Sequence, residues 1–254
     1  MANFLSPSLP PDHGLTGGEK AGTKPHLVVL SGAGVSAESG LKTFRDSDGL
    51  WMGYDIYEVA SPAGWEKNRE LVLNFYNMRR RDVAEAQPNA AHIGLARLQD
   101  HFNVTIVTQN IDDLHERAGS KNVIHLHGEI FKMRSECLNA DCDESKIYEI
   151  RGDISLGDKA EDGFQLRPHI VWFDEQVPKI IEAKKIMTEA DIFVLVGTSL
   201  QVYPASGLIN YVAPHVPKYI IDKKIPFIST QPNFFFIEKP ATDGVAEMVK
   251  LLLE

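Results

Sequence analysis

Short, unbroken apolar runs recur along the chain, at residues 27–30, 104–107, 123–126, 192–196 and 219–221. Such runs fit strands buried on both faces. Between them the apolar spacing turns helical and predicts helices over 69–86, 89–101, 179–190 and 244–253. In the last, Val245, Met248, Val249 and Leu252 share one face. Strands alternating with helices predict an α/β fold, a Rossmann-like parallel sheet with helices on both faces. Two segments break the alternation. Residues 46–68 carry Trp51, Trp65 and several tyrosines but no clear strand. Residues 132–165 are polar, hold both cysteines and end near the charged run Asp158-Lys159-Ala160-Glu161-Asp162. Both are expected to form a smaller inserted lobe. The predicted organisation is a flexible tail over 1–24 and one domain over 25–254. Its large lobe spans about 25–48, 87–131 and 166–254, and its small lobe about 49–86 and 132–165.

Composition narrows the function. The formal net charge of -9 argues against broad nucleic-acid binding, which needs basic surface to neutralise phosphates. No apolar segment reaches the length of a membrane span. Residues 1–24 are rich in Pro, Gly and Ser and contain no Arg, unlike a signal or transit peptide, so a cytoplasmic protein is expected. The two cysteines, Cys137 and Cys142, fit a reducing compartment without a disulfide framework.

The first apolar run leads into Gly32-Ala33-Gly34-Val35-Ser36-Ala37-Glu38-Ser39-Gly40. A strand running into G-x-G-x-x-A is a dinucleotide signal. The glycines let backbone approach a pyrophosphate, and the next helix offers free N–H groups. A dehydrogenase would place an acidic residue at the end of a second strand about 20 residues on. Residues 46–57 contain no run of strand length, which weakens hydride transfer. Three further polar loops follow predicted strands: Thr108-Gln109-Asn110-Ile111-Asp112, Leu126-His127-Gly128 and Gly197-Thr198-Ser199-Leu200. They are expected to converge at the C-terminal edge of the sheet, where ligands bind in open α/β folds.

Five segments in order, GAGVSAESGLKTFR, TQNID, HLHGE, LRPHIVWFDE and GTSLQVYPA, resemble those of the sirtuins, the NAD-dependent protein-lysine deacylases. The resemblance covers about residues 26–254. It implies NAD as cofactor, held by Gly32, Ala33, Gly34, Ser36, Phe44, Arg45, Gln109, Asn110, Ile111, Asp112, Gly197, Thr198, Ser199, Asp222 and Ala241. It implies catalytic roles for His127, Asn110 and Asp112, with His127 the general base on a ribose hydroxyl, a task suited to imidazole near neutral pH. Asn110 or Asp112 could equally cap the following helix. His125, His115 and His92 read as structural or packing residues. Val171, Trp172, Phe173 and Val202 match segments that clamp an extended peptide by strand addition, though Trp172 could be simple core. The chain departs from the family at Leu41-Lys42 and at Asp222, where many sirtuins carry an aliphatic residue with proline and an asparagine.

Tyr76 and Arg79 are spaced i, i+3 on the predicted helix 69–86 and so share a face. The pair resembles the bacterial-type sirtuin subgroup acting on succinyl- and malonyl-lysine, with Ala60 leaving room for the acyl chain. A guanidinium can grip the distal carboxylate in bidentate fashion while a phenol adds one bond. A solvated basic face is the ordinary alternative for Arg79-Arg80-Arg81. Zinc is not expected, because Cys137 and Cys142 alone fall short of a four-ligand set. The implied partners are acyl-lysine proteins, with neither nucleic acid nor membrane, and the implied state is a monomer. Protein ADP-ribosyltransfer and a catalytically silent NAD or ADP-ribose sensor remain as other readings.

Overall fold

The computed structural model describes residues 23–43, 50–137, 146–228 and 232–254. Its strands are β1 (His26–Ser31), β2 (Leu50–Trp51), β3 (Tyr54–Asp55), β4 (Asn103–Thr108), β5 (Val123–His125), β6 (Gly128–Ser135), β7 (Ile147–Glu149), β8 (Leu166–Ile170), β9 (Ile192–Val196), β10 (Lys218–Ile221) and β11 (Phe234–Ile237). Its helices are α1 (Gly34–Ala37), α2 (Ile56–Val59), α3 (Pro62–Lys67), α4 (Arg69–Glu85), α5 (Ala90–Arg97), α6 (Leu114–Arg117), α7 (Ile180–Thr188) and α8 (Ala241–Leu253). A 3-10 turn covers Ala205–Tyr211.

Six parallel strands form the main sheet in the order β11-β10-β9-β1-β4-β5. The alternation of side chains explains the apolar runs. Leu27 and Val29 of β1 pack with Leu95, Val245 and Met248 of α5 and α8 on one face. Val28 and Leu30 pack with Ala183, Met187 and Leu208 on the other. Each fully buried aliphatic chain contributes roughly 1.5–3 kcal/mol of hydrophobic stabilisation. The Rossmann-like sheet with helices on both faces is therefore present as expected.

A second core lies away from this sheet. Val72, Phe75, Tyr76 and Val83 of α4 pack with Ile130 and Phe131 of β6, Ile170 at the end of β8, and Trp172. The antiparallel strands β7-β6-β8 form the sheet of this smaller lobe. Asn68 caps α4 by accepting from the Leu71 N–H at 3.0 Å. Two expectations need correction here. Residues 50–67 are not empty of regular structure: they form the β2–β3 hairpin and the short helices α2 and α3. These elements are too short for a periodic signal, and their N-caps, Asp55 and Ser61, are local hydrogen-bond signals. The absence of a disulfide is also overturned, since Cys137 is disulfide-bonded. Cys142, the other cysteine of the sequence, lies outside the described residues. A count of two cysteines excludes a framework of several bridges but leaves a single bridge open.

Candidate active site

The chain order reverses on either side of β1, which lies between β4 and β9. Loops after β1, β4, β9 and β10, and the turn after β5, all leave the same C-terminal edge of the sheet. This edge brings Gly32, Ala33, Gly34, Ser36, Gln109, Asn110, Ile111, Asp112, His127, Gly197, Thr198, Ser199 and Asp222 to one side of the molecule. Ala241 opens α8 beside the first loop, where the Glu38 carboxylate accepts from the Thr242 N–H at 3.0 Å and from its hydroxyl at 2.9 Å. Phe44 and Arg45 lie outside the described residues.

The glycines have a role that the motif alone does not reveal. A Cβ on Gly34 would stand 2.7 Å from the Gly197 Cα, and one on Gly32 would stand 2.7 Å from the Thr198 Cβ. Gly197 itself has φ +65 and lies against the Gly34–Val35 backbone. The Gly32 N–H donates to the Val196 carbonyl at 3.0 Å, and the Gly34 N–H to the Gly197 carbonyl at 2.8 Å. The Val35 and Ser36 amides are bonded to the carbonyls of Gly32 and Ala33. The expected row of free helix amides is thus corrected. The helix is a single turn, its amides are engaged, and Ala33 keeps the amide without a partner among the described residues. The glycines first of all let two loops touch.

Beneath these loops lies a polar cluster. The Ser36 hydroxyl donates to the Asp112 carboxylate at 3.0 Å and accepts from the Asn110 amide at 3.1 Å. Asp112 also accepts from the Leu114 N–H at 3.2 Å, so it serves the start of α6 as well. Burial raises the Asp112 pKa, and these two hydrogen bonds oppose the rise. The Gln109 amide donates to the Thr198 hydroxyl at 3.0 Å, tying the second loop to the fourth. His92 and His115 do more than pack. His115 Nε2 bonds the Ser31 hydroxyl at 2.9 Å, and His92 Nε2 reaches the Ser36 hydroxyl at 3.4 Å. Burial lowers the pKa of both, that of His92 to about 4.

His127 follows β5 and is partly exposed. Its Nδ1 lies 2.9 Å from the Gln109 carbonyl, and a carbonyl can only accept. Nδ1 therefore carries the proton, and Nε2 presents a lone pair with no partner among the described residues. Burial lowers the His127 pKa, opposed by the bond to Gln109, so the neutral ring is favoured. Gly128 makes this placement possible. Its φ is +81, and a Cβ there would stand 2.0 Å from the His169 carbonyl oxygen. His125 is held differently, by the Asn110 carbonyl at 2.9 Å and the Glu116 carboxylate at 2.7 Å. Burial would lower its pKa, but the hydrogen bond and charge of Glu116 overcome this and raise it.

Below this edge α4 presents Tyr76 and Arg79, and the three consecutive arginines separate. Arg81 makes an exposed ion pair with Asp153 at 2.7 Å. Arg80 is 1% exposed and braces the lobe, donating to the carbonyls of Ile130 and Gly152 and to the Asn77 side chain. Burial lowers its pKa to about 10. Arg79 is 5% exposed, with Trp51 5.4 Å from its guanidinium and the Met52 thioether 3.5 Å from Nη1. Among the described residues no carboxylate lies within ion-pair distance of it, and its buried Nε has no partner. Burial lowers its pKa. Tyr76 is fully buried, and its oxygen accepts from the Trp172 indole N–H at 3.1 Å. Burial pushes its pKa up, so the phenol keeps its proton, for which no described residue serves as acceptor. Ala60 is buried in the same core, and its carbonyl accepts from the Phe173 N–H at 3.0 Å.

The amides of Val171, Trp172 and Phe173 bond to the His127 carbonyl, the Glu175 carboxylate and the Ala60 carbonyl. All three amides are therefore engaged within the chain, so a peptide added to this segment would have to bond to other backbone groups. Val202 is partly exposed at the start of the loop that enters the 3-10 turn. Among the described residues no cluster of three or more His, Cys, Asp or Glu could hold a metal ion. The sequence assigned no role to Met52 or to the pair Arg167–Glu175, and it left Arg80 on a solvated face. Arg167 and Glu175 stand inside the LRPHIVWFDE segment, but only the fold brings them and Met52 to α4.

A parallel sheet with polar loops gathered at its switch point defines the doubly wound class of nucleotide-binding α/β proteins. Comparison with known proteins narrows this further. Residues 32–204 match the model of the Sir2 family. An NAD-dependent protein deacylase of Helicobacter pylori is 49% identical over 229 residues, covering 90% of this chain and 98% of that protein. One of Bacteroides thetaiotaomicron is 48% identical over 90% of the chain and 98% of that protein. One of Escherichia coli K12 is 43% identical over 91% of the chain and 83% of that protein. A solved Sir2 homologue mutant bound to ADP-ribose superposes with TM-score 0.80 at 35% identity, covering 90% of this chain and 92% of that one. A Sir2 homologue complexed with NAD gives 0.76 at 35% identity, covering 89% of each chain. The chain belongs to the Sir2 family.

Proposed function

We propose that this protein is an NAD-dependent protein-lysine deacylase that prefers succinyl- and malonyl-lysine to acetyl-lysine. Family membership and the deacylase relatives support the general activity. The observation behind the acyl preference is the pair of spare donors on α4. Among the described residues, Arg79 is a buried guanidinium with no carboxylate partner, and Tyr76 is a buried phenol whose proton has no acceptor. A buried cation without a counter-ion is costly, and a ligand carboxylate would relieve that cost.

The residues at the sheet edge fit NAD. The Ala33 amide, which has no partner among the described residues, is open to a diphosphate, and Asn110, Asp112, Ser36, Gln109 and Thr198 offer amide, carboxylate and hydroxyl groups for a carboxamide and ribose hydroxyls. Ala241 stands on the adenine side of this reading, and the Asp222 carboxylate accepts from a ribose hydroxyl. When bound, NAD supplies an electrophilic ribose carbon with nicotinamide as leaving group. His127 takes a proton at Nε2, because Nδ1–H is committed to Gln109. Asn110 and Asp112 orient polar groups from a buried, hydrogen-bonded cluster that needs little reorganisation. Arg79 and Tyr76 hold the far end of the acyl chain, with Ala60 beside its path. Val171, Phe173 and Val202 line the peptide, which takes its backbone bonds from carbonyls on this segment. In this reading residues 25–254 form one catalytic domain of two lobes, working as a cytoplasmic monomer.

The test is Arg79→Met, assayed on succinyl-, malonyl- and acetyl-lysine peptides with NAD. We expect kcat/KM on the acidic acyl peptides to fall about a hundredfold, the upper range for a charge-assisted bond, and the acetyl rate to fall far less. Equal losses on all three peptides would remove the carboxylate grip. Mass spectrometry of the products separates deacylation, which gives free lysine and O-acyl-ADP-ribose, from ADP-ribosyl transfer to protein.

A further inference from the structure

The Tyr76 phenol is not free to turn. Its oxygen accepts the Trp172 indole N–H at 3.1 Å, and an indole N–H can only donate. That bond occupies one lone pair and leaves the hydroxyl proton to point elsewhere. Trp172 is 3% exposed, so its indole lies within the core of the small lobe. The residue is held from two directions. Its backbone N–H donates to Glu175 at 2.8 Å, and the Arg167 guanidinium lies 3.2 Å from its ring centroid. Arg167 is 2% exposed and grips Glu175 through two bonds, at 2.7 and 3.2 Å, and donates to the Ile170 carbonyl at 3.0 Å. Arg134 approaches the same carboxylate at 3.7 Å. A planar guanidinium locked by a bidentate carboxylate fixes the ring stacked beneath it.

We propose that Trp172 is a positioning residue for acyl specificity. By holding the Tyr76 oxygen as an acceptor, it sets the phenol O–H as a donor toward an acyl carboxylate, and the Arg167–Glu175 pair sets Trp172. This rests on the reading of Tyr76 and Arg79 as the carboxylate grip and extends it to residues that touch no substrate through their side chains. The arrangement has a physical rationale: a buried hydroxyl with one defined partner rotates less, so less order is lost when a second partner arrives.

The experiment is a mutant cycle on the full chain, comparing Trp172→Phe, Tyr76→Phe and the double variant on succinyl- and acetyl-lysine peptides with NAD. Trp172→Phe is expected to lower the succinyl-to-acetyl ratio of kcat/KM about tenfold, the worth of one hydrogen bond to a charged group. The change should sit in KM for the succinyl peptide. Once Tyr76 is Phe, adding Trp172→Phe should lower the ratio no further. If the two losses multiply, or if Trp172→Phe lowers both substrates alike, the positioning role is overturned. Where Trp172→Phe fails to fold, Glu175→Gln replaces it in the same cycle under the same criteria. Arg79→Met is run alongside. If it shifts the ratio while Trp172→Phe does not, the grip stands and the positioning role falls. If Arg79→Met leaves the ratio unmoved, both fall together.

Discussion

His127 acquires its proposed role from one hydrogen bond. The Gln109 carbonyl fixes the proton on Nδ1, and burial favours the neutral ring. Its pKa is lowered, so the base form persists below the ordinary imidazole value of about 6.5. The acid limb of the kcat/KM–pH profile is therefore expected below that value, and a limb above it would point to another base. His127→Ala should abolish turnover while leaving NAD binding measurable by calorimetry. Gly128 is the companion prediction. Its positive φ disfavours any side chain, and a methyl group there would collide with the His169 carbonyl oxygen. Gly128→Ala should destabilise the fold by several kcal/mol, read as a lower urea midpoint, because backbone on both sides must shift. At this scale the sequence was informative about identity and less so about purpose. The glycine motif was legible, but the contact that requires it, Gly34 against Gly197, joins residues far apart in the chain.

Helix α4 shows how one element divides a charge run. Three consecutive arginines point about 100° apart around a helix, so they cannot share an environment. Arg81 reaches water and Asp153, Arg80 the lobe interior, and Arg79 the Met52 thioether and the Trp51 ring. Arg80→Met should cost about 2–4 kcal/mol by leaving the Ile130 and Gly152 carbonyls unpaired. Arg81→Ala should cost about 0–1 kcal/mol, as exposed ion pairs usually do. Chemical unfolding of the two variants checks the contrast, and equal losses would contradict the division. The i, i+3 spacing of Tyr76 and Arg79 was legible. The burial of Arg80 was not, because its partners are backbone carbonyls with no sequence signature.

For the whole molecule, the buried parallel strands were the most legible feature, since both faces demand apolar residues. Strands of the small lobe were not. β8 contains Pro168 and the arginine Arg167, and β6 mixes charged with apolar positions, so neither gives a clean alternation. β11 is a short, half-exposed strand at the edge of the main sheet, where it pairs with β10. Burial also sets the acid response. His92 and His169 are lowered to about 4 and His115 well below its ordinary value, all chiefly by burial. The unfolded chain takes up protons near pH 6.5, whereas these folded histidines do so only lower, so stability falls as pH drops through that window. Burial raises Glu175, but Arg167 overcomes this and holds it low, so its contribution is also lost on acidification. His125, whose pKa is raised, works in the opposite sense. The urea midpoint should therefore be lower at pH 5 than at pH 7, and an unchanged midpoint would contradict the buried-neutral assignment. The deacylase reading stands or falls on turnover of matched succinyl- and acetyl-lysine peptides by the unmodified protein, with and without NAD. We expect strictly NAD-dependent release of free lysine, with higher kcat/KM for succinyl. Lysine release without NAD, or no release with it, would contradict the deacylase, and acetyl outrunning succinyl would contradict the carboxylate grip.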